Sequence, residues 1–292
     1  MSGVVLVNPK SGPDETSPEE VGDHFPGSHV EELQGKEVRR QVEDAIASGA
    51  PTFLAVAGGD GTIRCAAGVL AGTDLPLVAI PAGTRNHFAK ELGIASLEEA
   101  GQAAAGGVVD LIDIGEVNGE AFINNANIGL YPRIVKEREV HEKRFSKPTA
   151  TLVATWAQMR DLHKFNVTVN GGTTYRAWMV FVGNGRYGTT LFDVGTRETL
   201  ADGMLDVRIL RADGRMARAR VLGRLLFGRM DRSPMAEIDQ VESIELAVDR
   251  AEVDVALDGE IVRMTSPLRF RCRPKALRVL VPPSSSADAA AD

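Results

Sequence analysis

Three short clusters of glycines and polar side chains carry groups suited to a phosphorylated ligand. They are Asn8-Pro9-Lys10-Ser11-Gly12, Gly58-Gly59-Asp60-Gly61-Thr62 and Pro81-Ala82-Gly83-Thr84-Arg85-Asn86. Glycines let the main chain approach a ligand, and free N–H groups at the start of a following helix attract an anion. A nucleotide phosphate is therefore the natural occupant of the second cluster. Asp60 and Thr62 add a carboxylate and a hydroxyl beside those amides, and a carboxylate there is useful chiefly when Mg²⁺ or a sugar hydroxyl offsets its repulsion of the phosphates. Alone, the same letters also describe a tight turn with a capping aspartate. A fourth cluster, Leu257-Asp258-Gly259-Glu260, brings two carboxylates from far along the chain, where Asp-Gly by itself is a favoured hairpin pair.

The elements that must position these clusters are legible as apolar runs. Residues 4–7, 53–57 and 77–80 are near-continuous apolar stretches, the pattern of parallel strands buried on both faces, and each runs directly into one of the first three clusters. Val38, Val42, Ala45 and Ile46 recur at intervals of three and four and predict a helix over about 36–48; another is expected to begin near Ile63. Up to about residue 120 this alternation predicts an α/β domain with a mostly parallel sheet, whose ligands bind beyond the carboxyl ends of the strands. Beyond 120 the pattern becomes short strands at 165–170, 175–182, 205–210, 243–248, 252–257 and 268–272, predicting a β-rich, antiparallel sandwich-like domain. Helices are expected at about 149–162 and 216–230. A last strand, 277–281, is expected to rejoin the first domain. The expected organisation is 1–120 plus about 275–283 for the α/β domain, 121–274 for the β-rich domain, and a disordered tail over 284–292.

Composition narrows the classes. The 292 residues are 43% hydrophobic and 25% charged, an ordinary globular balance, and the net charge of −7 argues against a general nucleic-acid binder. Two distant cysteines, Cys65 and Cys272, give neither a disulfide framework nor a zinc site, and a reducing compartment is expected. With no basic leader and no apolar run of membrane-spanning length, the expected location is the cytoplasm. No P-loop, standard dinucleotide fingerprint or zincin motif is present.

The four clusters, in this order and at these separations, resemble the diacylglycerol kinase catalytic superfamily, which includes sphingosine kinases and bacterial lipid kinases. The resemblance spans about residues 3–281. It implies that ATP and a lipid meet in a cleft between the two domains, with Mg²⁺ as cofactor. It implies nucleotide contacts at Asn8, Ser11, Gly12, Gly58, Gly59, Asp60, Gly61, Thr62, Thr84 and Asn86, with Asp60 also helping to hold the cation. Asp258 matches the family's proposed general base, and Glu260 is a candidate for organising magnesium or charge. The stretch Thr199 to Asp206 resembles a loop where bacterial members bind a structural Mg²⁺; Asp202 would supply a carboxylate, Thr199 and Met204 backbone carbonyls. An Asp-Gly turn before a strand is the alternative there. Asp113 matches an aspartate that relatives place near the cleft. The chain departs from the family at His87, where an aspartate is usual, and at Val30 to Leu33, which lack a customary threonine.

Between Arg208 and Arg232 stand eight arginines against Asp213 and Asp231, interleaved with Met216, Val221, Leu222, Leu225, Leu226 and Phe227. A basic, partly apolar helix over about 208–232 is expected to dock on an anionic membrane, so the enzyme would visit the inner membrane face. The expected activity is transfer of the γ-phosphoryl group of ATP to a lipid hydroxyl, with diacylglycerol or a related lipid as acceptor. The rivals are a kinase of a soluble acceptor, like NAD kinase or phosphofructokinase, and a nucleotide- or lipid-binding relative without catalysis, for which His87 is the main argument. No motif fixes the acceptor or the oligomeric state, and a homo-oligomer is left open.

Overall fold

The structure is a computed structural model, and it describes residues 3–12, 16–34, 37–48, 51–129, 164–187, 197, 199–212 and 235–283. Four parallel strands, β1 (Val4–Val7), β2 (His29–Glu32), β3 (Leu54–Gly58) and β4 (Leu77–Pro81), lie side by side in the order β2-β1-β3-β4. Around them pack α1 (Pro18–Asp23), α2 (Val38–Ala47), α3 (Asp60–Leu70), α4 (His87–Glu91) and α5 (Leu97–Gly106). The apolar runs of β1, β3 and β4 are buried because the sheet is covered on both faces. β2 is an edge strand with the polar sequence His-Val-Glu-Glu, and its mostly exposed residues carry no such run. α2 buries Val38, Val42 and Ala45, three of the residues whose spacing predicts it. α3 begins at Asp60, three residues before the expected start, because the glycine cluster itself forms the first helical turn.

The second half is antiparallel. Its strands are β5 (Val108–Val117), β6 (Glu120–Phe122), β7 (Asn125–Gly129), β8 (Phe165–Val169), β9 (Thr174–Asn184), β10 (Leu205–Arg211), β11 (Met235–Val241), β12 (Ser243–Val248), β13 (Glu252–Leu257), β14 (Glu260–Thr265) and β15 (Leu268–Val281). They run β14-β13-β7-β9-β8-β12-β15, and from β15 the sheet continues into β4. The strands expected at 268–272 and 277–281 are one strand. Its register shifts between Arg273 and Leu277, where Lys275 takes a left-handed conformation with φ 49°. The first half of β15 pairs with β12, and Val279 lies beside Leu77 of β4 in parallel. Asp113 braces the bend, accepting the N–H of Lys275 at 2.7 Å and of Gly203 at 2.6 Å.

Two apolar cores result. One surrounds β1, β3 and β4; the other gathers Phe122, Ile128, Val180, Val207, Leu246, Val255 and Phe270. The architecture is an N-terminal parallel α/β domain followed by a β-sandwich-like domain. The basic helix placed at 208–232 needs correction at its start. Arg208 and Arg211 belong to β10, and Arg208 is a buried partner of Asp206 rather than a solvated cation. Residues 213–234, the helix expected at 149–162 and the tail lie outside the described residues. Among the described residues no helix is long and apolar enough to cross a membrane.

Candidate active site

The ends of β1, β3 and β4 bring the first three clusters together, and main-chain proximity is what joins them. A side chain at Gly83 would place its Cβ 2.4 Å from Gly59 Cα, and one at Gly12, whose φ is +83°, would meet the Ala82 carbonyl at 2.5 Å. These separations leave room for hydrogen only. Polar side chains then lock the turns. Asn8 donates through Nδ2 to Thr62 Oγ1 at 3.2 Å. Asn86, left-handed at φ 52°, accepts from the Gly83 N–H at 2.7 Å and donates back to the Gly83 carbonyl at 2.8 Å. Ser11 and Asn86 are buried, whereas Thr84 is exposed.

Asp60 is a cap, but not of its own helix. Its two carboxylate oxygens accept the N–H groups of His87 at 3.3 Å and Phe88 at 3.2 Å, at the start of α4, so it straps the second turn to the third. α3 is capped at Gly59 without any side-chain acceptor. Its first-turn N–H groups are therefore available to an anion, with the partial positive charge of the helix start behind them.

The fourth cluster arrives from the other domain. Glu260, the first residue of β14, lies directly over the glycine turn, so that a Cβ on Gly61 would fall 2.1 Å from Glu260 Oε1. Its carboxylate pairs with Arg64 of α3 at 2.8 Å, and the same guanidinium donates to the Ala121 carbonyl at 3.2 Å. Among the described residues the buried Arg64 Nε has no hydrogen-bond partner.

Two residues before Glu260, Asp258 sits in the hairpin turn between β13 and β14, with φ 49° followed by Gly259 at φ 92°. Both residues are left-handed, as a tight two-residue hairpin requires. Its carboxylate accepts three main-chain N–H groups, from Ile123 and Asn124 at 2.8 Å and from Asn125 at 2.9 Å. Those amides and the nearby Arg64 hold its pKa down, but loss of hydration outweighs them and pushes it up to about 6. A carboxyl group that titrates near 6 is suited to taking a proton at neutral pH.

The predicted structural cation loop also assembles. The carbonyls of Thr199 and Met204 and the Asp202 carboxylate all surround Gly185. Its N–H bonds Met204 O at 2.9 Å, and a Cβ there would meet Thr199 O at 2.9 Å and Asp202 Oδ1 at 3.9 Å. A carboxylate with two carbonyls is an oxygen donor set that fits a hard cation. Asp202 also accepts N–H groups from Met204 at 2.9 Å and Arg186 at 3.2 Å, so the loop shapes itself in part. Asp113 holds the β15 bend through Lys275 and reaches the N–H of Gly203 in the same loop as Asp202.

Sequence reasoning missed Arg64, Glu91, Arg197, Tyr187 and the asparagines of 124–127. Arg197 is buried and ion-paired to Glu91 of α4, and it donates to the carbonyls of Ile123 at 2.7 Å and Asn184 at 2.9 Å. The one available signal was Asn124-Asn125-Ala126-Asn127, since three amides inside an otherwise apolar stretch need buried partners.

A parallel α/β domain joined to a β-sandwich-like domain, with glycine turns gathered at the strand ends, is the fold of diacylglycerol kinases and NAD kinases. A diacylglycerol kinase structure from Bacillus anthracis superposes with a TM-score of 0.65 at 19% identity, covering 97% of this chain and 98% of that one. An NAD kinase from Archaeoglobus fulgidus in complex with ATP gives 0.54 at 13% identity, with 99% and 96% covered. The diacylglycerol kinase catalytic domain family matches residues 2–117, and the YegS C-terminal NAD kinase beta sandwich-like domain matches 132–281. Relatives named "Probable lipid kinase YegS-like" are 30% identical in Pseudomonas fluorescens, over 85% of this chain and 83% of the relative, and 32% identical in Pseudomonas aeruginosa, over 85% and 82%. The chain belongs to the diacylglycerol kinase catalytic domain family, with a C-terminal domain of the YegS type.

Proposed function

We propose that this protein is an ATP-dependent lipid kinase that moves the γ-phosphoryl group of ATP to a hydroxyl of diacylglycerol or a related lipid. The observation that carries this reading is the contact of Glu260 with Gly61, which sets the Asp258 hairpin against the glycine turn and so brings a proton acceptor to a phosphate cradle. The first-turn amides of α3, with Gly58, Gly59, Gly61 and Thr62, bind the triphosphate, and Asn8, Ser11, Gly12, Thr84 and Asn86 complete the nucleotide side. Asp258 takes the proton of the lipid hydroxyl as its oxygen bonds to the γ-phosphorus and the bond to the β–γ bridging oxygen breaks, releasing ADP. Glu260 keeps Arg64 in place beside the transferring group.

Magnesium bound with ATP would supply charge neutralisation on the phosphates. Asp60, whose two oxygens also strap α4, would help to hold that cation from the glycine turn, while Asp202, Thr199 and Met204 would hold a second, structural ion. The arginines between 215 and 232 supply attraction to anionic lipid, which brings the enzyme to an acceptor that stays in the bilayer.

The test is an assay with labelled ATP and magnesium on vesicles of diacylglycerol in anionic or neutral phospholipid, with NAD and sugar phosphates as soluble acceptors. Product is expected from the vesicles, and more from the anionic ones. A second reading, a kinase of a soluble acceptor, is supported by the fold shared with an ATP-binding NAD kinase. Label moving only to a soluble acceptor would establish it.

A further inference from the structure

We infer that Arg197 is a positioning residue for the carboxylate of Asp258, and that Glu91 tunes it from the helix that follows the third turn. The inference rests on reading Asp258 as the base. All five N–H donors of Arg197 are engaged. Nε bonds the Glu91 carboxylate at 3.1 Å; Nη1 donates to the carbonyls of Ile123 and Asn184; Nη2 donates to Glu91 and, at 3.3 Å, to Asn124 Oδ1. The Ile123 carbonyl and the Asn124 N–H are two ends of one peptide unit. Arg197 grips the oxygen at 2.7 Å, and the nitrogen donates to Asp258 at 2.8 Å. A cation on the carbonyl polarises that unit and makes its N–H a stronger donor.

The next peptide unit is held likewise. The Asn124 carbonyl accepts from the Tyr187 hydroxyl at 2.9 Å and the Asn184 N–H at 2.8 Å, and the Asn125 N–H donates to Asp258. The amides of Asn124 and Asn125 that receive Asp258 are thus fixed from behind by the side chains of Arg197 and Tyr187 and the main chain of Asn184. Glu91 is the last residue of α4, whose first N–H groups are strapped to Asp60 of the glycine turn. One short helix therefore links the phosphate cradle to the support of the base. Charged and titratable groups around Asp258 are Arg64 from α3 with its partner Glu260, Arg197 and Tyr187 from the segment after β9, and Glu91 from α4. Replacing Arg197 removes a cation; replacing Glu91 leaves that cation unneutralised, because an arginine keeps its charge.

The two substitutions must shift the base in opposite directions. The acid limb of kcat/KM for lipid phosphorylation, measured with the full chain on diacylglycerol vesicles, reports the base of the free enzyme. It is expected to move up by about half a pH unit in Arg197→Met and down by a similar amount in Glu91→Gln, the scale of one screened charge. A purely structural ion pair would lower the melting temperature of both variants and leave both limbs where they are, and that result overturns the inference. If Arg197→Met does not fold, Glu91→Gln decides alone, since an unmoved or raised limb refutes it. Asp258→Asn separates the two levels. If that variant stays active, the base assignment fails; if it is dead and the limbs coincide, only the role of Arg197 fails.

Discussion

Two Asp-Gly turns, at Asp202 and at Asp258, share their letters and differ in who serves the carboxylate. Asp202 bonds the N–H of Met204 two residues on, and its other oxygen accepts from the Arg186 N–H sixteen residues back and from the Gln240 side chain at 3.5 Å, so one of its two oxygens closes its own turn. Asp258 receives the N–H groups of Ile123, Asn124 and Asn125, from 133 to 135 positions away and outside its own turn. A carboxylate bonded in part by its own turn helps to shape that turn. One that is enclosed and served by a distant segment has a raised pKa, and folding sets its hairpin against another domain's glycine turn.

The sharpest way to break this contrast is to spoil the cradle and leave both aspartates alone. Gly83→Ala drives a methyl into the Gly59 main chain, where nothing can swing aside, a strain of about 1–3 kcal/mol. ATP binding, followed by calorimetry, is expected to weaken about tenfold or more, with the melting transition still cooperative. Next comes Asp202→Ala. It strands two N–H groups and is expected to cost about 1–3 kcal/mol of stability in denaturant titration, with ATP affinity unchanged. If the loop holds a cation, magnesium raises the melting temperature of the native chain and not of this variant.

A smaller effect sharpens the other side. The folded state holds the Asp258 proton more tightly than the unfolded chain does, since its pKa rises from 3.8 to about 6. Its contribution to stability is therefore present below about pH 4 and is lost as pH rises toward 6. Thermal melts from pH 4 to 7 should show the native chain losing stability relative to Asp258→Asn across that window, and parallel curves would contradict the raised pKa. Smallest is the effect on Cys272, whose thiol is pushed up to about 12 by burial and by Asp113 beside it. It is expected to resist alkylation in the folded protein at pH 8, as mass spectrometry can verify.

What the sequence made legible follows from which constraints are local. β1, β3 and β4 announce themselves because strands covered on both faces must be apolar throughout, while β2 and β14 are edge strands with exposed polar residues and send no such signal. The glycine turns are readable because only glycine tolerates those approaches. The plainer readings of two motifs hold in the structure: Asp258 is a hairpin residue in a left-handed turn, and Asp60 is a cap, though of α4 and not of α3. Arg64, Glu91 and Arg197 stayed hidden because their partnerships join residues 196 and 106 positions apart, and ion pairs leave no periodic trace.

The central claim is that Asp258 accepts the proton while a separate set of main-chain amides grips the triphosphate. Asp258→Asn, assayed for lipid phosphorylation and for ATP binding on one preparation, addresses it most directly. Turnover should fall by about 10²–10⁴ with the dissociation constant for ATP unchanged; turnover close to that of the native chain would contradict it.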